Sequence, residues 1–202
     1  SAKKVPMSEE HSINAQSPYA ATKIAADQIS ISFYKSFNLP ITIIRPFNTF
    51  GPRQSTRAVI PTIINQLFFS KKIKLGNINT KRDFTFIADT VNGFVSALKA
   101  KKINGEIINI SSGSEISIKQ LIQEIFKVAG FSKNVVIEKK RVRPKKSEVV
   151  RLLGSNKKAI KLLKWKPIYN NVKQFRLALK DTVSWYNKSE NLNKFNANDL
   201  YE

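Results

Sequence analysis

At 202 residues, 42% of them hydrophobic, the chain is large enough to bury a core, and with no cysteine and one histidine, His11, it offers no disulfide and no metal site of cysteine or clustered histidine. No apolar run reaches the ~18 residues of a membrane span, and the opening SAKKVPMSEEH has acids where a secretory signal needs an apolar stretch, so a soluble, cytoplasmic protein with no membrane partner is expected. The net charge of +21 is spread as lysine through nearly every segment, while Arg45, Arg53, Arg57, Arg82 and Arg143 fall in or beside loops, a distribution that suits a small anionic ligand held by guanidinium groups better than a nucleic acid.

Pro18 suits the first turn of a helix, and Ala21, Ile24, Ala25, Ile29 and Phe33 keep helical spacing to about Phe37, where Asn38-Leu39-Pro40 stops it. Ile41 to Arg45 is a β-branched run between prolines and reads as a strand buried on both faces, followed by a loop with Asn48, Gly51 and Pro52. A helix is predicted from near Pro61 to Phe69, then strands at KIKL and RDFTFI, with Asp89 as the N-cap of a helix through Val91, Phe94, Val95 and Leu98. A strand at Ile107 to Ile110 precedes an amphipathic helix opened by Ser117 and closed by Gly130. Val135 to Ile137 is a further strand, Asn156 caps a short helix ending near Trp165, Val172 to Tyr186 forms the last long helix, and the tail from Ser189 reads as mobile. Alternating elements indicate an α/β fold. No two of the seven glycines lie closer than eight residues, so the glycine-rich turn of a dinucleotide-binding unit has no counterpart here.

The segment Ser17-Pro18-Tyr19-Ala20-Ala21-Thr22-Lys23 carries the clearest chemistry. Residues four apart on a helix share a face with Cβ atoms about 5–6 Å apart, so the Lys23 ammonium can stabilise a Tyr19 phenolate able to remove a proton from a sugar hydroxyl. Read alone, the pattern is more often a Tyr and Lys on a solvated helix.

Context adds to it. With Ile43-Ile44-Arg45-Pro46-Phe47-Asn48-Thr49-Phe50-Gly51-Pro52 downstream of the YxxxK helix, the chain resembles the extended short-chain dehydrogenase/reductase superfamily, in its NAD-dependent epimerase/dehydratase branch. Phe50 stands where tyrosine is commoner in that family. Arg82-Asp83-Phe84-Thr85-Phe86-Ile87-Ala88-Asp89 is similar to its substrate-loop motif, and Arg143-Pro144 with Ser147-Glu148-Val149 to its late RPxxSEV segment. The likeness covers most of residues 5 to 187.

The resemblance implies Tyr19 as catalytic acid/base and Lys23 as its partner, both also touching the cofactor, with Pro46 and Phe47 beside the nicotinamide. It implies substrate contacts from Asn48, Arg57, Val59, Arg82, Arg143 and Glu148: two arginines on a diphosphate, and a carboxylate on the nucleotide ribose. NAD is expected in preference to NADP, no metal, a nucleotide-diphosphate sugar as ligand, and a homodimer when full length. Arg53 and Arg57 read equally as solvated loop charges, Asp89 as a helix cap, Asp83 as an orienter of Arg82, and Trp165 and Trp185 as packing residues.

The implied fold is the C-terminal part of an extended Rossmann-type fold without its dinucleotide-binding half. Residues 1–57 read as a remnant of the NAD-binding domain, 58–188 as mainly the substrate-binding region, and 189–202 as a tail. Arg53 to Pro61 and the RPxxSEVxRLLGS stretch look most similar to 4,6-dehydratases acting on a nucleotide-linked N-acetylglucosamine in legionaminic acid type synthesis. A 4-epimerase or decarboxylase of the same family, a non-catalytic nucleotide-sugar binding module, and a basic nucleic-acid binder are the other readings. Without a neighbouring half, the isolated chain is expected to be inactive, poorly stable and prone to association through the Ile41 to Arg45 edge.

Overall fold

The computed structural model describes residues 4–142, 144 and 148–192. Helix α1 (Pro18–Phe37) opens with the Ser17 hydroxyl accepting from the Ala20 N–H at 3.2 Å and proline in its first turn, and ends at Asn38 in the left-handed conformation. Strand β1 (Ile43–Pro46) and β2 (Asn48–Phe50) follow, then α2 (Val59–Phe69), β3 (Ile73–Leu75), β4 (Lys81–Arg82), β5 (Phe84–Phe86) and α3 (Ile87–Lys99). The remainder is β6 (Ile107–Ile110), β7 (Ile116–Ser117), α4 (Ile118–Ala129), β8 (Val135–Ile137), β9 (Arg151–Leu152), α5 (Lys157–Leu163), α6 (Val172–Tyr186) and α7 (Ser189–Leu192).

Pairing is mostly parallel, as helical crossovers require. β1 pairs with β6, β2 with β5 and β3 with β8, all parallel, while β4 lies between antiparallel β7 and parallel β9. The expected α/β class is thus found, with helices and strands at nearly every anticipated place. The RDFTFI run, anticipated as one strand, is two: Arg82 ends β4, Phe84 begins β5, and the two pair with different partners. The anticipated loop after β1 contains β2, because Asn48 to Phe50 register against Phe84 to Phe86.

The main core lies under α2, α4 and α6. Ile60, Ile63, Ile64 and Leu67 of α2 meet Leu121, Ile122 and Ile125 of α4, Leu179 and Val183 of α6, and an aromatic group of Phe50, Phe84 and Phe86. α4 shows why its sequence folds there: the Ser117 side chain accepts from the Gln120 N–H while Gln120 accepts from the Ser117 N–H, a reciprocal cap that satisfies two helix-end donors. Gly130 ends it, as anticipated. A second core joins Ile108 and Ile110 of β6 to Ala159, Leu163 and Trp165.

α1 stands outside both cores, and β1 meets only the second, through Ile44. α1 buries no residue; Ile29, Phe33 and Phe37 are all exposed, and β1 is half-buried rather than enclosed on both faces as expected, since β6 is its only partner among the described residues. Two contacts help to tie α1 down, besides its half-buried Ile24 and Ile31. The Arg45 guanidinium donates to Asp27 at 2.8 Å. Tyr34 lies over Gly105, where φ is +80° and a Cβ would come within 2.3 Å of the ring, so only glycine suits that turn. A second run of exposed apolar side chains, Val91, Phe94, Val95 and Leu98, follows one face of α3. Among the described residues no helix is long and apolar enough to cross a membrane.

Candidate active site

Tyr19 and Lys23 lie one turn apart in the first half of α1, and the Lys23 Nζ sits 5.5 Å from the centroid of the Tyr19 ring. The pair therefore shares a helix face, as its spacing requires. It faces open solvent: Tyr19 is 72% exposed. Pro46 and Phe47 lie at the C-terminal end of β1, where the Phe47 N–H donates to the Ile110 carbonyl at 2.9 Å. In open parallel sheets ligands gather at that end of the strands.

The anticipated substrate residues fall into three groups. Asn48, Arg82 and Glu148 come together. The Asn48 carboxamide donates to the Asp83 carbonyl at 2.9 Å, and the Arg82 guanidinium donates to the Lys81 carbonyl at 2.8 Å and pairs with the Glu148 carboxylate at 3.8 Å. Both members of the ion pair keep less than a fifth of their side-chain surface exposed, with Arg82 at 17% and Glu148 at 14%. Arg57 and Val59 are separate from that group. Arg57 is an exposed charge in the loop before α2, and Val59 is partly buried against the main core as the first residue of that helix. Arg143 lies outside the described residues.

Several readings are corrected. Asp89 is not the N-cap of α3, which begins two residues earlier with Phe86 in that position. Its carboxylate instead accepts from the Ile168 and Tyr169 N–H groups at 3.0 and 2.9 Å, and its carbonyl from the Trp165 indole at 3.1 Å, so it joins α3 to the segment after α5. Asn156 stands at the N-terminus of α5 but makes no cap bond; its side chain donates to the Ser111 carbonyl at 3.2 Å. Trp165 and Trp185 are packing residues as read, the first in the second core and the second edge-on to Tyr186.

Two features were not anticipated. Tyr186, buried at the end of α6, donates its hydroxyl to the Gln54 carbonyl, while the Gln54 side chain donates to the Thr49 carbonyl at 2.7 Å. These bonds fix the loop that carries Arg53 and Arg57. Burial pushes the Tyr186 phenol above its usual range, so it stays a neutral donor. The segment before α1 is also laced to β6: the Glu9 carboxylate accepts from the Asn109 N–H at 2.8 Å, and the Asn109 side chain donates to the Met7 carbonyl at 3.2 Å. Neither feature has a local signal, because the partners are distant in sequence.

A shallow apolar concavity between α3 and the Gly51–Pro52 turn, lined by Pro52, Phe86, Ile87, Val91 and Asp181, holds none of the anticipated site residues. Its lining is mostly apolar, with Asn92 and Asp181 the polar residues in it, and the anticipated site residues lie instead near the ends of β1 and β4. No group of three or more His, Cys, Asp or Glu side chains among the described residues is placed to hold a metal.

Comparison with known proteins bears on the family and the fold. A family model described as GDP-mannose 4,6 dehydratase matches residues 1–175. The UDP-glucuronate 4-epimerase of Thermodesulfobacterium geofontis is 32% identical over 171 residues, which are 84% of this chain and 50% of that protein. The crystal structure of dTDP-glucose 4,6-dehydratase from Bacillus anthracis in complex with NAD superposes with a TM-score of 0.82 at 27% identity, covering 93% of this chain and 58% of the other. UDP-glucuronic acid 4-epimerase from Bacillus cereus, in complex with UDP-glucuronic acid and NAD, gives 0.83 at 30% identity, with 92% and 57% covered. The chain thus spans about half the length of such relatives. Its α/β architecture, motifs and these matches place it in the GDP-mannose 4,6-dehydratase family, among the NAD-dependent epimerase/dehydratases of the extended short-chain dehydrogenase/reductases.

Proposed function

We propose that this chain is the catalytic-helix and substrate-binding portion of a nicotinamide-dependent nucleotide-sugar 4,6-dehydratase acting on a nucleotide-linked N-acetylglucosamine. The observation that carries the reading is the pairing of Tyr19 and Lys23 on one face of α1, in a chain that also pairs Arg82 with Glu148 and bonds Asn48 to the backbone carbonyl of Asp83, the residue next to Arg82. Residues 1–57 supply the catalytic helix and the cofactor-side residues, and 58–188 most of the substrate contacts.

The chemistry follows from the side chains. Arg82, with Arg143, neutralises the diphosphate, and Asn48 donates an N–H to a phosphate oxygen. Glu148 accepts from ribose hydroxyls, a task suited to a carboxylate and not to a phosphate contact. Tyr19 takes the proton of the sugar C4 hydroxyl while the Lys23 ammonium favours the phenolate, giving a 4-keto sugar. Lys23 would also hold the nicotinamide ribose, and Pro46 and Phe47 would lie beside the ring. The open approach to Tyr19 and the position of Phe47 at the end of β1 fit the nicotinamide end of NAD, which when bound accepts the hydride. The pyrophosphate end needs a glycine-rich turn that these 202 residues do not contain, so turnover requires a further dinucleotide-binding segment.

Two tests separate the readings. Titration calorimetry with the UDP-, GDP- and dTDP-linked sugars measures whether the chain binds one, with Arg82→Ala expected to abolish it. Joined to a dinucleotide-binding segment from a relative, the chain should convert a nucleotide-linked N-acetylglucosamine to its 4-keto-6-deoxy product and lose that activity on Tyr19→Phe. A product epimeric at C4, or a decarboxylated one, replaces the dehydratase by another activity of the family. Binding without turnover in the joined form favours a non-catalytic module, a reading that the half-enclosed Arg82–Glu148 pair and the exposed Tyr19 support. Salt-sensitive DNA or RNA binding that is indifferent to Arg82→Ala overturns both.

A further inference from the structure

Asp83 is the most fully enclosed carboxylate beside the substrate group, with no exposed surface, and no catalytic step uses it. Every partner its carboxylate has among the described residues is a neutral donor. One oxygen accepts from the Ser112 N–H at 2.9 Å and the Ser112 hydroxyl at 2.6 Å; the other accepts from the Gly113 N–H at 3.2 Å and the Gly154 N–H at 3.1 Å. Three convergent backbone N–H groups form a concavity that attracts an anion, and here the chain fills it with its own side chain. Burial pushes the Asp83 carboxyl above its ordinary range, against the lowering effect of those four bonds.

The location is as informative as the bonds. The backbone of Asp83 is a crossing point too: its carbonyl accepts from Asn48 and its N–H donates to the Leu152 carbonyl at 2.7 Å. Four segments meet on one residue: β2, the β4–β5 junction, the turn after β6 and the turn after β9. Asn48 belongs to the first and Arg82 to the second. Gly154, in the fourth, is packed so closely that a Cβ would lie 2.5 Å from Ser111 and 2.7 Å from the Phe47 ring, which links the same point to the end of β1. Side chains alternate along extended backbone, so with the Asp83 carboxylate buried Arg82 is turned outward to Glu148.

We propose that Asp83 is a positioning residue for nucleotide-sugar binding, whose buried carboxylate fills a nest of three N–H groups and a hydroxyl and so holds Arg82 and Asn48 in one fixed arrangement. The proposal rests on the functional reading above for the identity of the ligand, and on the hydrogen bonds alone for the role of the carboxylate.

The test compares wild type, Asp83→Asn, Asp83→Ala with and without added formate, and Ser112→Ala. Three readouts are taken: affinity for UDP-N-acetylglucosamine, order of the Arg82 Nε–H by NMR relaxation, and exchange protection of the Gly113 and Gly154 amides. An asparagine turns an NH2 group toward N–H donors and leaves a buried donor unpaired, so Asp83→Asn should weaken affinity about tenfold or more and loosen Arg82 and both amides. Formate, which restores the carboxylate without the side chain, should recover affinity and Arg82 order in Asp83→Ala. Ser112→Ala should change all three in the same direction but less. Formate that restores the melting temperature but not Arg82 order overturns the proposal, as does an Asp83→Asn protein with wild-type Arg82 order. If both Asp83 variants fail to fold, an unchanged Arg82 in folded Ser112→Ala overturns it. If wild type binds no nucleotide sugar, the functional reading fails, while Arg82 order and its response to formate still decide the role of Asp83.

Discussion

Tyr186→Phe isolates a single oxygen. The ring is buried at 1% exposure and packs edge-on against Trp185, so the substitution leaves the hydrophobic contact in place and removes only the hydroxyl that donates to the Gln54 carbonyl. Loss of a hydrogen bond with the acceptor left buried costs about 1–3 kcal/mol. For a chain of this length each kcal/mol lowers the melting temperature by roughly 2–4 °C. The expected loss is therefore about 2 to 12 °C by calorimetry, with an unchanged denaturant slope because the exposed area on unfolding is the same. The same bond restrains the loop of Arg53 and Arg57, so proteolysis of the folded protein within residues 51–58 should accelerate. Gln54→Ala removes the neighbouring bond to the Thr49 carbonyl, and because both bonds act on one loop the double variant should lose less than the two singles added together. A Tyr186→Phe protein as stable and as protease-resistant as wild type refutes the idea that α6 holds this loop through that hydroxyl.

The ion pair of Glu124 with Arg176 at 2.7 Å joins α4 to α6, and the Arg176 guanidinium holds the Glu124 carboxyl below its ordinary range of 4.5. A depressed folded value gives stability present above the ordinary pKa and lost as pH falls through the folded one, so Glu124→Gln should cost about 0.5–1 kcal/mol at neutral pH and nothing once both forms are protonated, read by urea unfolding across pH. Leu121→Ala empties a site with no exposed surface in the main core and should cost about 2–5 kcal/mol in the same assay. Phe33→Ser changes an exposed α1 residue: stability should move by no more than about 0.5 kcal/mol while self-association, measured by sedimentation velocity, declines.

Much of the fold was legible because its signals are local. The cap of α4, the proline at the start of α1 and the β-branched run of β6 act within a few residues of themselves, and the Tyr19/Lys23 pairing depends only on helix pitch. What was not legible depends on partners far along the chain. Asp89 resembles a cap by position, yet its acceptors are used by N–H groups 79 and 80 residues away. The division of RDFTFI into β4 and β5 is dictated by β9 and β2, since a two-residue strand has no periodicity to read. Asp83 could be read as an orienter of Arg82 from adjacency, but the three N–H groups that give it that capacity come from Ser112, Gly113 and Gly154.

The two parts of the proposed chemistry stand on unequal supports. Asn48 is bonded to the backbone carbonyl of Asp83 and Arg82 is its chain neighbour, and with the Asp83 carboxylate fully buried their separation is set by the sheet around that residue. Tyr19 and Lys23 are fixed to each other by one helical turn, but their position relative to Arg82 depends on how α1 sits, and α1 is held by the Arg45–Asp27 pair and Tyr34 over Gly105. A partly exposed ion pair contributes about 1 kcal/mol or less, too little to hold a helix to the fraction of an ångström that proton transfer requires. Packing over Ile29, Phe33 and Phe37, the apolar side chains that α1 leaves exposed, would add to that restraint. Binding is thereby separated from catalysis: the proposed substrate residues Arg82 and Asn48 are fixed by the packed sheet around them, whereas the proposed catalytic pair is only as well placed as α1 itself.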